Sequence, residues 1–283
     1  MILVTGAAGK TGRAVIRALA QRGESVAAFV HRPDQIDAVK RAGAILAHVG
    51  SFADEAALNR ALTGVRAIYH IAPNVSPDEA AIGRKMIDAA RRQGVQHFVY
   101  HSVLHPHTED MPHHWQKLRV EEMLVKSGLS FTILQPPIYM QNVLARWSEI
   151  VTEGVYRVPY PAATRLAMVD LEDVAAAVAI VLDSDDHHGA TYELAGPDIL
   201  SQTEIAAILS DGLSKPIRVE VIPRSAWETD ARQSGMGAYQ VETLLKMFEY
   251  YERYGFGGNP RVLTWLLGRP PARFAEFVAR ATA

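Results

Sequence analysis

The chain of 283 residues contains no cysteine, carries almost no net charge and has no long apolar run. The absence of cysteine excludes disulfides, thiolate metal sites and cysteine nucleophiles, and it is typical of a reducing compartment. With 29 Lys and Arg against 31 Asp and Glu, the net charge is −2, so we expect neither nucleic acid nor an anionic membrane surface as a main partner. The longest apolar run, Val174–Leu182, is far shorter than the ~20 residues that span a bilayer, and the first residues lack a basic signal segment. We therefore expect a cytoplasmic chain.

A repeating unit occupies the first 134 residues: a helical stretch, a glycine just past its end, then a short apolar strand. It recurs five times, and the strands are Val26–Val30, Ile45–Val49, Ala67–Ile71, His97–Tyr100 and Phe131–Leu134. Each glycine suits the left-handed residue that ends a helix. The strands are continuous apolar runs, which is typical of a parallel sheet covered by helices on both faces. The pattern predicts an α/β fold with a Rossmann-type doubly wound parallel sheet.

The repeat ends after Pro136 and Pro137, where aromatic residues and turn signals become more frequent. We expect a smaller C-terminal substrate lobe there. Residues 1–150 are predicted to form the cofactor domain, with residues 165–196 returning to it, and the lobe takes residues 151–164 and 197–283. Within the lobe, Ser201 and Glu204 form a capping-box pattern that opens a helix ending at Leu213, and Ile217–Ile222 is a predicted strand.

A glycine-rich loop directly follows the first predicted strand, Ile2–Thr5, and precedes a helix. Glycines at these positions let the backbone turn tightly and approach a pyrophosphate, while the helix N-terminus offers free N–H groups to the anion. The candidate phosphate-binding residues are Gly6, Ala8, Gly9, Lys10, Thr11 and Gly12. The loop therefore predicts a dinucleotide cofactor.

The end of the second predicted strand indicates which nicotinamide cofactor is bound. Sites that prefer NAD usually place a carboxylate there to accept the ribose 2′-hydroxyl. Here the strand ends in His31, Arg32 and Pro33, and the planar fork of Arg32 suits a 2′-phosphate. We predict NADP(H) as the cofactor, while Asp34, two residues further on, keeps NAD(H) open.

Several motifs together give a resemblance that covers essentially the whole chain. They are Thr5–Gly12, His31–Pro33, Ile71–Asn74, Gln135–Asn142, Val169–Ala175 and Gly258–Gly268. On these residues the chain resembles the NmrA-like branch of the atypical short-chain dehydrogenases/reductases, which includes NAD(P)H-dependent quinone oxidoreductases and triphenylmethane reductases. The resemblance implies that Ala72, Pro73 and Asn74 lie beside the cofactor. It also implies that Pro136 and Ile138 flank its nicotinamide end.

One departure from the wider family concerns the catalytic motif. Most short-chain dehydrogenases carry Tyr-x-x-x-Lys, and this chain has His113 and Lys117 at that spacing. Lys117 is expected to reach the ribose hydroxyls, and His113, on the same helical face, to give a proton near neutral pH. Ser102, at the end of the fifth strand, occupies roughly the place of the family's catalytic serine.

The residues after Pro137 are candidates for the acceptor site. Tyr139, Asn142 and Trp147 are expected to bind the substrate, although core packing explains an isolated aromatic residue equally well. Five histidines lie close together in the sequence, but none has the spacing of a zinc site, so we expect loop histidines and no metal. The five are His101, His105, His107, His113 and His114.

Two classes of function remain open. The first is an NADPH-dependent reductase that transfers hydride to a flat apolar acceptor such as a quinone or dye. The second is a non-catalytic NADP-sensing regulator of the NmrA type, which the missing tyrosine allows and which alone requires a protein partner. A nucleotide-sugar epimerase would need that tyrosine and fits least. The expected oligomeric state is a monomer or a homodimer.

Overall fold

The computed structural model of the chain describes residues 1–282. The strands are β1 (Ile2–Val4), β2 (Val26–Val30), β3 (Leu46–Val49), β4 (Ala67–His70), β5 (His97–His101), β6 (Phe131–Gln135), β7 (Ile138–Tyr139), β8 (Val155–Val158), β9 (Arg165–Val169), β10 (Ala190–Glu193), β11 (Ile199–Ser201) and β12 (Arg218–Val221). The helices are α1 (Lys10–Gln21), α2 (Ile36–Arg41), α3 (Glu55–Leu62), α4 (Glu79–Arg92), α5 (Pro112–Val125), α6 (Trp147–Glu153), α7 (Leu171–Val181), α8 (Gln202–Leu213), α9 (Arg224–Gln233), α10 (Ala238–Tyr254), α11 (Arg261–Leu267) and α12 (Phe274–Thr282). Among these residues, no helix combines the length and apolar composition needed to cross a bilayer.

The central sheet has seven strands in the order β10-β6-β5-β4-β1-β2-β3. All pairs from β6 to β3 are parallel, and Leu3 of β1 is in register with Ala27 on one side and Ile68 on the other. From β1 the chain first builds outward through β2 and β3, then returns to the opposite side of β1 with β4. Strand order therefore reverses between β1 and β4, and a crevice for a ligand is expected at their carboxyl ends. The predicted doubly wound α/β fold is confirmed.

Local backbone conformation and apolar burial explain why these elements form. The five glycines that end the predicted helices all have positive φ, between 67° and 114°, and four of the five predicted strands differ from the observed ones by one residue at one end. Side chains from the sheet pack against α3, α4 and α5 in one continuous core, which includes Leu3, Leu62, Ile68, Phe98 and Leu124. Helices α1 and α7 pack against each other.

The chain divides into two compact units. Unit 1 comprises residues 1–107, 113–135 and 171–192, and unit 2 comprises residues 108–112, 136–170 and 193–283. The middle segment of unit 1 thus ends at β6, directly before Pro136 and Pro137, where the repeat in the sequence ends. The assignment of a cofactor domain and a substrate lobe to these regions stays a prediction.

Unit 2 contains two small sheets and its own apolar core. Strand β9 pairs with β7 in parallel and with β11 in antiparallel orientation, and β8 pairs with β12 in parallel. Met140, Ile150, Leu209 and Phe274 lie in the core. The predicted capping box is present at the start of α8, because the Ser201 hydroxyl accepts from the Glu204 amide (3.2 Å) and the Glu204 carboxylate accepts from the Ser201 amide (2.7 Å).

Candidate active site

The glycine loop connects β1 to α1 and presents an uncapped helix N-terminus. Gly6 has a φ of 58°, a left-handed conformation that suits glycine, and its carbonyl accepts from the Gly9 amide (3.1 Å). Gly9 is the N-cap of α1, and no side chain caps that end. The N-terminus of α1 therefore begins directly at the loop without a capping side chain from Gly9, and the sequence predicts a pyrophosphate at such a helix end.

Gly12 lies where helix α1 packs on the loop itself. A Cβ atom at Gly12 would lie 2.5 Å from the Gly6 carbonyl oxygen and 2.6 Å from the Ala7 Cα, which is closer than van der Waals contact allows. A Cβ atom at Gly9 would meet only the Gly6 oxygen, at 3.3 Å. The close approach of helix to loop therefore depends on Gly12 in particular.

A cavity of about 610 Å³ lies beside the loop, entirely within unit 1. It is lined by Gly6, Ala7, Ala8, Gly9, Phe29, Val30, His31, Gln35, Gly50, Ser51, Phe52, Ala53, Pro73, Ser76, Asp78, Ala81, Ile82 and Lys85. These residues come from the carboxyl ends of β1 to β4 and from the start of α4, which is the crevice expected from the strand order. The volume and the mixed apolar and polar lining fit part of a dinucleotide. Sequence reasoning missed the lining from residues 50–53 and from α4, although it follows from the same rule about strand ends.

The cofactor candidates after β4 are held by the end of β1. The Thr5 hydroxyl donates to the Ile71 carbonyl (3.0 Å) and accepts from the Ile71 amide (2.9 Å). Pro73 lines the cavity, Ala72 is buried and Asn74 is exposed. Thr5, which the sequence singled out only as part of a motif, thus ties together the two strands that flank the crevice.

Arg32 lies at the rim of unit 1 with its guanidinium engaged by Asp34. Arg32 Nε donates to Asp34 Oδ1 at 3.0 Å and Arg32 Nη2 donates to Asp34 Oδ2 at 3.2 Å, and both side chains are more than half exposed. The hydrogen bond from Arg32 holds the pKa of Asp34 below its usual value. Asp34 thus engages the Nε and Nη2 edge of the guanidinium, and a 2′-phosphate would bind the Nη1 and Nη2 edge or displace Asp34.

Lys117 is largely enclosed and has two acceptors in unit 1. Its Nζ donates to Glu79 Oε1 at 2.9 Å and to the His101 carbonyl at 3.1 Å, and its side chain is 15% exposed. Glu79 is the first residue of α4 and is buried. No signal in the sequence singled out Glu79, since it lies 38 residues from Lys117.

Ser102 is buried at the end of β5 and donates to Glu121. The same Glu121 oxygen accepts from Gln135 Nε2 at 2.9 Å. Burial raises the pKa of Glu121, although Ser102 and Gln135 act in the opposite direction. The Ser102 hydroxyl hydrogen is thus committed within the protein, and its predicted catalytic role stays a prediction.

His113 lies in the first turn of α5, on the same helical face as Lys117. Its Nδ1 atom is buried without a hydrogen-bond partner among the described residues, and its ring meets the His114 ring edge to face at 4.5 Å. Burial, and secondarily the charge of Lys117, lower the pKa of His113 to about 4. At neutral pH the ring is therefore neutral and can donate a hydrogen bond, whereas the sequence suggested a group that is partly protonated.

The candidate residues after β6 lie in unit 2. Ile138 and Trp147 pack against the unit 2 core, Pro136 is buried and Tyr139 is partly buried. Their predicted contacts with cofactor and acceptor, like that of Asn142, stay predictions.

The clustered histidines belong mostly to regular elements rather than to the flexible loop that the sequence suggested. His101 lies in β5 and bonds to Tyr69, and His113 and His114 lie in α5. Residues 1–282 contain no group of three or more potential ligands arranged to hold a metal ion.

Comparisons with known proteins agree with the nucleotide crevice. The sequence model of the NmrA-like family matches residues 1–269. Quinone oxidoreductase 2 of Escherichia coli is 28% identical over 281 residues, which cover 99% of this chain and 98% of that protein. A (4-alkanoyl-5-oxo-2,5-dihydrofuran-3-yl)methyl phosphate reductase of Streptomyces griseus is 32% identical over 99% of this chain and 97% of its own length. An NAD(P)H azoreductase of Xenophilus azovorans is 27% identical over 98% and 96%.

The structural comparison extends over the full length of both chains. The crystal structure of the NADPH-dependent quinone oxidoreductase QOR2 of Escherichia coli, complexed with NADPH, superposes with a TM-score of 0.86. It covers 100% of each chain at 28% sequence identity.

Proposed function

Because the chain belongs to the NmrA-like family, we propose that it is an NADPH-dependent reductase that transfers hydride to a flat apolar acceptor such as a quinone or dye. The observation that carries this proposal is the crevice between β1 and β4, where the glycine loop, the uncapped N-terminus of α1 and the cavity meet. Full-length relatives named as quinone, azo and furan-phosphate reductases support the reaction class. A cytoplasmic location and a monomeric or homodimeric state stay predictions.

Different residues of unit 1 would bind different parts of the cofactor. Gly6, Gly9 and Gly12 let the backbone approach the pyrophosphate, with the amides of Lys10 and Thr11 at the helix start. Arg32 would take the 2′-phosphate, and Pro73 would lie beside the cofactor.

The chemistry at the nicotinamide end needs little from the protein besides orientation. Bound NADPH supplies the hydride. Lys117 has a fixed ammonium group that would hold the ribose, and His113 would donate a hydrogen bond to the reduced acceptor. The reduced oxygen or nitrogen of a quinone or azo dye can take its proton from water, so the absence of the family tyrosine is compatible with turnover.

The reductase proposal is tested with a panel of acceptors. We expect the purified chain to oxidise NADPH in the presence of at least one quinone, azo dye or triphenylmethane dye, measured by the loss of absorbance of the reduced nicotinamide. Tight NADPH binding without oxidation on the whole panel would instead favour the regulator of the NmrA type.

Arg32 and Asp34 are expected to set the preference between NADPH and NADH in opposite directions. Arg32→Ala should weaken NADPH binding by about 10- to 100-fold, because a charge-assisted guanidinium–phosphate contact is lost, and leave NADH binding nearly unchanged. Asp34→Asn should strengthen NADPH binding by no more than ~5-fold, since an ion pair between exposed side chains contributes little. Fluorescence titration of both cofactors against all three proteins measures this, and equal losses for NADPH and NADH in Arg32→Ala would contradict it.

His113 is expected to contribute a hydrogen bond rather than a titrating acid. We expect His113→Ala to lower kcat by about 2- to 10-fold, the value of one hydrogen bond from a neutral donor. His113→Gln, which keeps an N–H donor, should recover part of that loss. The pH profile of kcat shows whether the ring is charged or neutral. A wild-type kcat that falls as the pH rises through a pKa near 6.5, with no such fall in His113→Gln, would contradict a neutral ring.

A further inference from the structure

A carboxylate outside the predicted catalytic motif holds the ammonium group of Lys117. Glu79 is 3% exposed, and its Oε1 atom lies 2.9 Å from Lys117 Nζ and 2.8 Å from the Tyr100 hydroxyl. A buried carboxylate is costly unless hydrogen bonds and an opposite charge compensate it. Glu79 receives both, and it lies at the N-terminus of α4, where the helix dipole also favours a negative charge.

Three elements are joined at this carboxylate. Glu79 begins α4, Tyr100 and the carbonyl of His101 belong to β5, and Lys117 projects from α5. The preceding residue, Asp78, lines the nucleotide cavity. Two adjacent residues therefore have different roles: Asp78 lines the cavity, and Glu79 binds Lys117.

The number of donors on Lys117 makes this arrangement specific. An ammonium group has three N–H donors, and two of them go to Glu79 and to the His101 carbonyl. With two donors fixed, the direction of the third is fixed as well. The ring of Tyr100, 5.4 Å below Nζ, further restricts the ammonium position.

Tyr100 provides an independent contact to the same carboxylate. Burial, together with the Glu79 charge, raises the pKa of Tyr100 well above its usual value, so the phenol keeps its proton and donates it to Glu79. Tyr100 therefore belongs to the same arrangement, because its hydroxyl and Lys117 Nζ both donate to Glu79 Oε1.

We propose that Glu79 is a positioning residue of the cofactor site, which orients Lys117 so that its remaining N–H group meets the ribose of NADPH. This inference rests on the proposed function for the role of Lys117. Glu79 itself touches neither cofactor nor acceptor; it acts through Lys117.

A double-mutant cycle on NADPH binding tests the proposal. Lys117→Met should weaken binding about 10-fold, the value of one charge-assisted hydrogen bond, and Glu79→Gln about 3- to 10-fold. The double variant should match Lys117→Met within about 2-fold, because Glu79 has no effect once Lys117 is gone. As a control, Glu122→Gln, which removes an exposed ion pair with Lys126 on the same helix as Lys117, should bind NADPH within about 2-fold of wild type. Fluorescence titration measures the dissociation constants, and thermal unfolding measures stability in parallel.

Single-turnover oxidation of NADPH by 1,4-benzoquinone gives a second readout. Glu79→Gln should slow it about 10- to 100-fold at saturating NADPH, since a displacement of ~1 Å costs about 10²-fold in rate. Glu79→Asp is the second variant, used if Glu79→Gln does not fold. It keeps the carboxylate but shortens the side chain by one methylene group, so we expect it to lose both NADPH affinity and rate.

Several outcomes would overturn the proposal. Wild-type binding and rate in Glu79→Gln or Glu79→Asp, with only a lower melting temperature, would leave Glu79 a purely structural role. If the loss of NADPH affinity in the double variant equals the product of the two single losses, Glu79 acts independently of Lys117. If Lys117→Met binds NADPH like wild type, Lys117 is not part of the cofactor site. A wild-type chain that binds NADPH but reduces nothing refutes the proposed function alone, since the binding cycle still decides the role of Glu79.

Discussion

Acidification from pH 7 to pH 5 is expected to lower the free energy of unfolding of unit 1 by about 9 kcal/mol. Five histidines of this unit are kept neutral, chiefly because burial disfavours their charged form. Burial lowers the pKa of His70 and His101 to about 3, that of His97 and His113 to about 4, and that of His114 well below its usual value. In the unfolded chain each returns to about 6.5.

The sign follows from the proton balance. Between pH 6.5 and about 4 the unfolded state binds up to five more protons than the native state, so stability is present above this window and is lost as the pH falls through it. Each histidine contributes a slope of up to about 1.4 kcal/mol per pH unit, about 7 kcal/mol for all five. The raised pKa of Glu121 acts in the opposite direction, but it is one group against five. Domains are stable by about 5–15 kcal/mol, so a loss of this size is a large fraction of that stability.

The experiment follows both units at once. All eleven histidines of the chain lie in unit 1, so hydrogen exchange read by mass spectrometry should show loss of protection in unit 1 peptides on acidification. Urea unfolding between pH 7 and pH 5 gives the slope. His97→Asn should reduce that slope by about 1.4 kcal/mol per pH unit, whereas His107→Asn, at an exposed position, should leave it unchanged. A stability that is constant over this range would contradict the prediction.

Gly12→Ala is expected to weaken NADPH binding by about 10²- to 10⁴-fold. The new Cβ would lie 2.5–2.8 Å from backbone atoms of Gly6 and Ala7, so the loop must move away from α1. Loss of two charge-assisted N–H contacts to phosphate, at about 1.5–3 kcal/mol each, gives this range. The clash itself should cost about 1–3 kcal/mol of folding stability.

Gly9→Ala is the matched control in the same loop. Gly9 has φ −69° and ψ 167°, which alanine adopts readily, and its Cβ would meet only one atom, at 3.3 Å. The loss of folding stability that the clash causes should therefore be absent from Gly9→Ala, whose free energy of unfolding we expect within about 0.5 kcal/mol of wild type. Urea unfolding of both variants measures this, and NADPH titration measures how far each Cβ hinders the approach of the backbone to the pyrophosphate. Equal losses of stability in Gly9→Ala and Gly12→Ala would show that the close packing at Gly12 is unimportant.

Much of the fold was predictable because its signals are local. The apolar runs gave the strands from β2 to β6 to within one residue at each end, and the glycines after the helices marked the turns because their positive φ depends on the residue itself. The glycine loop was predictable for the same reason, because its motif consists of residues that are adjacent in sequence. The repeat ends at Pro136 and Pro137, directly after residue 135, where the middle segment of unit 1 ends.

The candidate site was predictable only where its residues follow strand ends. Pro73 and the first part of the glycine loop, which were expected beside the cofactor, line the cavity, whereas the contacts of Lys117 with Glu79 and of Ser102 with Glu121 were not expected. These pairs are separated by 38 and 19 residues, and no periodic pattern links their members. Which charged side chains meet depends on how helices pack on the sheet.

The sequence by itself determined the α/β repeat, the parallel sheet and the nucleotide loop, because strand propensity, helix termination and glycine conformation are properties of short segments. Only the tertiary structure decided the protonation of the histidines and the partners of Lys117 and Ser102. Residues distant in sequence bury these groups and so lower the local dielectric. Burial lowers the pKa of His113 to about 4, and it strengthens the hydrogen bond from Lys117 to Glu79. An imidazole on a helix face has the same sequence signal whether it is buried or exposed.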